Sequence, residues 1–521
     1  MLASASGEEA RGDQAQKWFQ KAIELSGPEG PVQTLFFKKA VSNLSGRRYH
    51  GEKLDLSLRQ AEIPTFVYAR TAHRQITDMI LGQAHCNQDV SDRRVRFPVS
   101  ALSGARGSVE LTGDMTVALD ITAVLTLSHL GILRQVIDHF HHIVLASRTL
   151  GLLFAERQFL RVQQPSQIAK ASRLQVLISS GQLKLLRRLG RKRTPAGKEI
   201  GEDLVALLEA ARANGLVVRS APVMKLGSYL EESADMGAYS DELTDMLSVL
   251  SFLSNEGKID AETTRKAARY LHQVDRGWSS AHRIEASSTL YLDDLAVTYL
   301  DFVELFEPLT RAVDAVYVDE GVKETSTQTI RFGEQVNHLL DEIESIRSAL
   351  VYGIESGRII FSARHFPEQE GKDEEEDMFA SAPTLDLLSD LTGIDAVVTD
   401  DRFLNKLPAW TDGTKHSASA ASTIDVLAEL RRTGKFDEGT YWAARDKLRR
   451  SGFYAMPLEV NELVYHVTAA AIDNLHLRES PELWAIRESI AMPILNNAFV
   501  IAETPWLTNM RFVILKAIHQ V

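Results

Sequence analysis

The feature that most constrains the fold of this chain is an ordered self-similarity between its middle and its C-terminal half. Val117-Ala-Leu-Asp120 opens an apolar run from Ile121 to Leu133, and Leu290-Tyr-Leu-Asp293 opens a matching run from Asp294 to Phe306. Ile143-Val-Leu145 is answered by Ala315-Val-Tyr-Val318, Ile178-Ser-Ser-Gly181 by Ile354-Glu-Ser-Gly357, and Gly215-Leu-Val-Val218 by Ala396-Val-Val398. Glu256-Gly-Lys-Ile-Asp260 is answered by Thr433-Gly-Lys-Phe-Asp437. No single match carries weight, because any two α/β domains share a strand and helix rhythm. The matches nevertheless keep their order at a nearly constant offset, Asp120 to Asp293, Gly181 to Gly357 and Gly257 to Gly434, which is the sign of a tandem duplication.

Within each copy, short apolar strands alternate with helical patterns, which implies parallel βαβ units. The predicted fold class is therefore α/β, with two tandem parallel-sheet domains over 117–280 and 281–455. At 521 residues the chain exceeds the size at which one core stops growing, so flanking segments are expected as well. The pattern predicts a helical lead-in over 31–116 and closing helices over 456–521, where Ser480 and Pro481 open a helix as N-cap and first helical residue. Over 14–25, Ala15, Trp18, Phe19, Ala22 and Ile23 recur at helical spacing.

Composition narrows the setting. The net charge of -12 argues against the whole molecule being an electrostatic nucleic-acid binder, so contact with RNA or DNA must be regional. A single cysteine, Cys86, allows no intrachain disulfide and no cysteine-based zinc site, which fits a reducing cytoplasm. The polar first sixteen residues lack the apolar segment of a secretion signal. The apolar stretches 117–133 and 490–501 are interrupted and short of the ~20 residues of a membrane span, so a cytoplasmic protein with no membrane partner is expected.

Candidate chemistry follows from the acids. In an open parallel sheet the loops at the carboxyl ends of the strands form the ligand crevice. In the second copy Asp293 ends the first strand, Glu324 lies one turn beyond Val318, Asp386 heads a helix, and Asp400 and Asp401 follow Val397-Val398-Thr399. Four carboxylates in one crevice repel each other unless cations neutralise them, and hard oxygen ligands select Mg²⁺ or Mn²⁺. Such ions activate water for attack on a phosphodiester.

These residues resemble the pattern of the PIN-domain nucleases: a strand-terminal Asp, a Glu after the next strand, an Asp opening a helix, and a strand running into T-[DN]-D followed later by Ser-Thr before a helix. Here the pattern reads as Leu292-Asp293, Val318-Asp-Glu-Gly-Val-Lys-Glu324, Asp386, Val397-Val-Thr-Asp-Asp401-Arg-Phe-Leu404 and Ser422-Thr-Ile-Asp425. The resemblance implies Rossmann-like (PIN-like) sheets and a metal-dependent RNase in which Asp293, Glu324, Asp386 and Asp401 are catalytic and hold the metal. Asp400 would be a further metal ligand, with Asp294 and Thr399 in support. The family usually carries Ser, Thr or Asn two residues after the first Asp; the second copy has Leu295 and the first has Thr122. The first copy matches at Asp120 and Asp203. It has Gly151 or Leu152 at the second acid, with Glu156 a turn further on, and Ser220-Ala221 at the last aspartates. It is expected to be a degenerate partner.

Ala15-Gln-Lys-Trp18-Phe19-Gln-Lys-Ala22 resembles the second helix of a tetratricopeptide (TPR) repeat, so residues 1–30 are expected to end a helical repeat that could take a protein partner. The order of a repeat-like helix and two PIN-like units more loosely resembles prokaryotic conflict-system proteins that join such repeats to a PIN domain, which implies an RNA substrate and a role in defence or stress. The alternative is a catalytically inactive PIN-like or TPR-like interaction module. His139, His141 and His142 read as a polar loop rather than a zinc site. The basic run from Lys184 to Lys198 suits either a phosphate backbone or a solvated linker, and the acidic run 368–377 a flexible loop.

Overall fold

The computed structural model describes Lys21, Leu25 and residues 51–89, 96–160, 164–187, 194–226, 232–279, 282–362, 382–473 and 476–521. The expected helix over 14–25, apart from Lys21 and Leu25, lies outside the described residues, as do 188–193 of the basic run and the acidic run 368–377. The protein is α/β with parallel sheets, and it divides into two compact units: an inserted unit, Leu160–His338, and a flanking unit made of what precedes and follows it.

The strands are β1 (Thr116–Leu119), β2 (His142–Leu145), β3 (Lys184–Leu186), β4 (Leu216–Val218), β5 (Leu243–Thr244), β6 (Thr289–Leu292), β7 (Ala315–Asp319), β8 (Ile359–Phe361), β9 (Ala396–Val398), β10 (Ala409–Thr411) and β11 (Ser417–Ala421). The flanking sheet has the order β10-β11-β9-β1-β2-β8, parallel except for β10. The inserted sheet has the order β3-β7-β6-β4-β5, parallel throughout. Numbered by position within 117–280 and within 281–455, both sheets run third, second, first, fourth; the inserted sheet then ends on β5, and the flanking sheet on β11 and the antiparallel β10.

The registers agree as well. Val117 pairs with Ile143 and Leu290 with Val316; Ala118 pairs with Val397 and Tyr291 with Val217. Val144 pairs with Ile360 and Tyr317 with Lys184. Each sheet nevertheless draws its first and second strands from one copy and its third, fourth and fifth from the other. Neither 117–280 nor 281–455 is therefore a compact domain. The expected boundaries fail because β8 and β9 lie against β2 and β1, whereas β3 and β4 lie against β7 and β6.

The local reasons are ordinary. The central strands β1, β9 and β6 are bounded on both sides by other strands, and β1 and β9 are buried at almost every residue, which accounts for their continuous apolar runs. Asp120 and Asp293 terminate β1 and β6 and cap the helices Ile121–Leu130 and Asp294–Phe302, accepting from the backbone N–H of Thr122 and Ala296. Gly215 precedes β4 because a Cβ there would lie 2.7 Å from the Tyr291 ring and 2.8 Å from the Thr289 carbonyl oxygen. The flanking core gathers Ala118, Val144, Leu387 and Val397; the inserted core gathers Val218, Met246, Leu290 and Val318.

Residues 51–89 and 96–116 and the helices Val460–Ala469, Pro481–Leu495 and Thr504–Ile518 belong to the flanking unit. Ser480 caps the second of these helices, with Pro481 at its first position. Among the described residues no single helix is long and apolar enough to cross a membrane.

Candidate functional site

The four acids expected to share one crevice fall two in each unit. Asp293 and Glu324 belong to the inserted unit, Asp386 and Asp401 to the flanking one, and Asp400 lies with the latter. The cause is again strand pairing: the strand that ends before Asp401 is bonded to β1, not to β6. Asp120, expected in the degenerate copy, thereby becomes the neighbour of Asp401.

In the flanking unit Asp120 ends β1 and Thr399-Asp400-Asp401 ends β9, adjacent central strands whose carboxyl ends form the crevice. Asp120, Asp386, Asp400 and Asp401 are all buried. Threonine hydroxyls hold two of them, Asp120 and Asp400. Thr122 Oγ1 donates to Asp120 at 2.5 Å, Thr384 Oγ1 to Asp120 at 2.6 Å, and the Thr399 hydroxyl lies 3.3 Å from the same carboxylate. The Asp400 backbone N–H donates to Thr122 Oγ1 at 3.0 Å. Asp386, on the helix Pro383–Ser389, has Arg148 Nε 3.4 Å away. Burial pushes Asp400 and Asp401 up to about 6, against the pull of the donors to each, and Asp120 raises Asp401 further.

The Ser-Thr-x-Asp motif supports this crevice. Thr423 donates to Asp400 through its N–H at 3.0 Å and its hydroxyl at 2.5 Å. Asp425 closes a capping box with Ser422 and receives Arg106 Nη1 at 2.6 Å. Arg402, next to the acids, is buried against Glu503 and donates to the Tyr454 hydroxyl and the Ala498 carbonyl, each at 2.7 Å. It fastens the loop that carries the acids to the C-terminal helices.

The N-terminal segment of the unit lies on this crevice. The Thr65 N–H donates to Asp401 Oδ2 at 2.6 Å, while Oδ1 accepts from Phe403 and Leu404. Glu156 receives the N–H groups of Ile76 and Thr77 at 2.9 and 2.8 Å, and burial holds its carboxyl above the usual range. Asp55, Arg59, Thr65, Tyr68, Arg74 and Asp400 are among the residues around a cavity of about 140 Å³ beneath that segment.

In the inserted unit the corresponding crevice is a cleft of about 730 Å³ that Asp203, Arg219, Asp293, Asp319 and Glu324 all line. Glu324 and Asp203 are exposed, and Asp319 is tied to the Gly321 N–H at 2.7 Å. At the end of β4, in the place Thr399 takes after β9, stands Arg219. Its guanidinium forms a close ion pair with Asp293 and reaches Asp294 at 3.2 Å. Burial pushes Asp293 up to about 6, with Arg219 pulling it down. The charge of Asp293 is thereby already neutralised by a fixed cation. Ser220, in the place of Asp400, is bonded to Asp275.

A divalent cation fits the chemistry of the flanking crevice, which offers only hard oxygens. It does not fit the spacing as it stands. Among the described residues only one group of three His, Cys, Asp or Glu side chains has its donor atoms within 4.8 Å of one another, and that group, His85, His129 and Glu342, is not in this crevice. Asp120, Asp400 and Asp401 accept from hydroxyls and backbone N–H groups, and Asp386 is ion-paired with Arg148 while its buried Oδ2 makes no hydrogen bond. The best clue in the sequence was Thr122, which stands where the acid pattern calls for a hydroxyl and where the other copy has Leu295. His139 lies 3.0 Å from buried Glu429 rather than in a histidine cluster. No family model, curated protein or solved structure matches this chain.

Proposed function

We propose that this chain arose by duplication of a Rossmann-like, PIN-like unit whose halves have exchanged, and that its flanking unit is a divalent-metal-dependent nuclease acting on RNA. The shared strand order and the equal registers support the first part. The observation that carries the second is the meeting of Asp120, with Thr122 two residues on, and Asp401 at the ends of adjacent central strands, with Asp386 and Asp400 beside them. When bound, Mg²⁺ or Mn²⁺ would supply an activated water and neutralise phosphate charge. The chain itself orients Asp120 through Thr122, Thr384 and Thr399, and holds Asp400 through Thr423.

The conformation described is a closed one, with Thr65 bonded to Asp401. The inserted unit, with Arg219 against Asp293, is a non-catalytic companion. A second reading, an inactive interaction module throughout, is favoured by the backbone donors that fill both oxygens of Asp401 and of Glu156.

The two readings separate on the full-length chain stripped with EDTA. Mn²⁺ calorimetry and cleavage of labelled single-stranded RNA are expected to show binding and activity lost in Asp120→Asn and Asp401→Asn but retained in Asp293→Asn. Metal-independent cleavage, or activity that survives both flanking-unit substitutions, would refute the nuclease. Absence of Mn²⁺ binding in the parent chain would establish the inactive module.

A further inference from the structure

We propose that His85, His129 and Glu342 form a binding site for one first-row divalent transition metal, Zn²⁺ foremost, separate from the acid crevice. His85 lies on the helix Gln83–Asp89, His129 near the end of the helix Ile121–Leu130, and Glu342 on the helix Glu320–Glu355. One donor atom from each comes within 4.8 Å of the other two. His129 is nine residues along its helix from Asp120, so about 13 Å separates the two places at 1.5 Å per residue.

The second observation is an unmatched nitrogen. His129 is 3% exposed, its Nε2 lies 2.8 Å from Ser451 Oγ, and its Nδ1 is buried with no hydrogen-bond partner. A buried polar atom without a partner is destabilising. A hydrogen bond between His85 Nε2 and Glu342 Oε2, 2.5 Å apart, accounts for those two groups without any ion but leaves Nδ1 of His129 unexplained. A metal ion bound through that nitrogen would account for all three. Two imidazoles and one carboxylate are a donor set that Zn²⁺ accepts, with the fourth position open to water.

Bonds of about 2.0–2.2 Å would spread His85 and Glu342 to roughly 3.3 Å, a change of under an ångström. The Ser451 hydroxyl beside Nε2 is the kind of partner that fixes the orientation of a ligating imidazole. Burial, with Lys447 and His85 beside it, favours the neutral ring of His129. His85 and Glu342 keep some exposure, which gives the ion a path in. The ion would tie together three helices that are remote in sequence.

The test uses the full-length chain after chelation. Zn²⁺ is titrated calorimetrically, and Co²⁺ is titrated in the visible, where four-coordinate cobalt absorbs far more strongly than the aquo ion. One equivalent per chain is expected, with at least tenfold weaker binding in His85→Ala and in Glu342→Gln, both at partly exposed positions that leave the core intact. Asp401→Asn should leave unchanged the equivalent that His85→Ala weakens and its cobalt spectrum, which keeps this result distinct from that of the nuclease site. No binding, or binding equal in the parent chain and in the His85→Ala, Glu342→Gln double variant, would overturn the proposal.

Discussion

Asp400 offers the sharpest test of why the flanking crevice is built as it is. Its carboxyl is fully buried and pushed from an ordinary 3.8 up to about 6, chiefly by desolvation. The folded state therefore binds this proton more tightly than the unfolded chain does. The group costs stability at high pH, and that cost fades as pH falls from about 6 to about 4. A displacement of about two units corresponds to ~3 kcal/mol. Asp400→Asn removes the charge yet keeps the partners, since Oδ1 still accepts the Thr423 N–H and Nδ2 can donate to the Thr423 hydroxyl. In EDTA the variant should be more stable than the parent by up to ~3 kcal/mol near pH 8, by about 1 kcal/mol near pH 4.5, and by nothing near pH 3. For a unit of this size that is a rise in melting temperature of roughly 3–6 °C at the alkaline end, readable by scanning calorimetry. Saturating Mn²⁺ should reverse the order, because only the parent keeps the full set of acids and gains stability by binding. An Asn variant less stable than the parent at pH 8 without metal, or equally stabilised at every pH, would refute burial as the cause.

Other perturbations probe neighbouring features. Arg402→Met strands buried Glu503 and should cost about 3–5 kcal/mol, most of it recovered in the Arg402→Met, Glu503→Leu double variant, as urea denaturation would show. Thr65→Pro removes the N–H that Asp401 accepts, at a cost of about 1.5–3 kcal/mol. Pro64 is already extended, at φ -71° and ψ 154°, and position 65 is the first of its helix, so the backbone tolerates the change. If the crevice is closed by this segment, Mn²⁺ affinity and RNA cleavage should rise, and an unchanged affinity would separate the segment from regulation. Gly215→Ala forces a methyl against Tyr291 and the Thr289 carbonyl and should destabilise the inserted unit by about 1–3 kcal/mol, measured as a lower melting temperature.

Much of this architecture was legible from one-dimensional pattern. The strands that begin at Thr116 and Thr289, the aspartates that cap the helices after them, and the helix opened by Ser480 and Pro481 follow from local chemistry, which acts over a few residues. Pairing was not legible. Because β1 and β6 present equivalent edges in equivalent registers, periodicity cannot say which of them receives β9, and the grouping of Asp293 with Asp401 failed on that one degeneracy. Arg219 escaped notice because it is one arginine after a strand, and its meaning comes only from Asp293 across the sheet. His85 and Glu342 are remote in sequence and share no motif, so only the fold brings them together.

The pairing of β1 and β2 with β9 and β8 also sets a timetable for synthesis. A chain emerging from the ribosome completes β3 to β7 while β8 and β9 are still unmade, so the inserted unit can close first. β2, which ends at Leu145, must wait for β8, which starts at Ile359. At about 5–20 residues per second that wait is roughly 10–40 s. Throughout it, the apolar edges of β1 and β2 lack their final partners and form an open template for aggregation or for a holding chaperone. Slowing translation between residues 145 and 359 should therefore lower soluble yield, whereas slowing it after residue 421, when β8, β9 and β11 have been made, should have less effect.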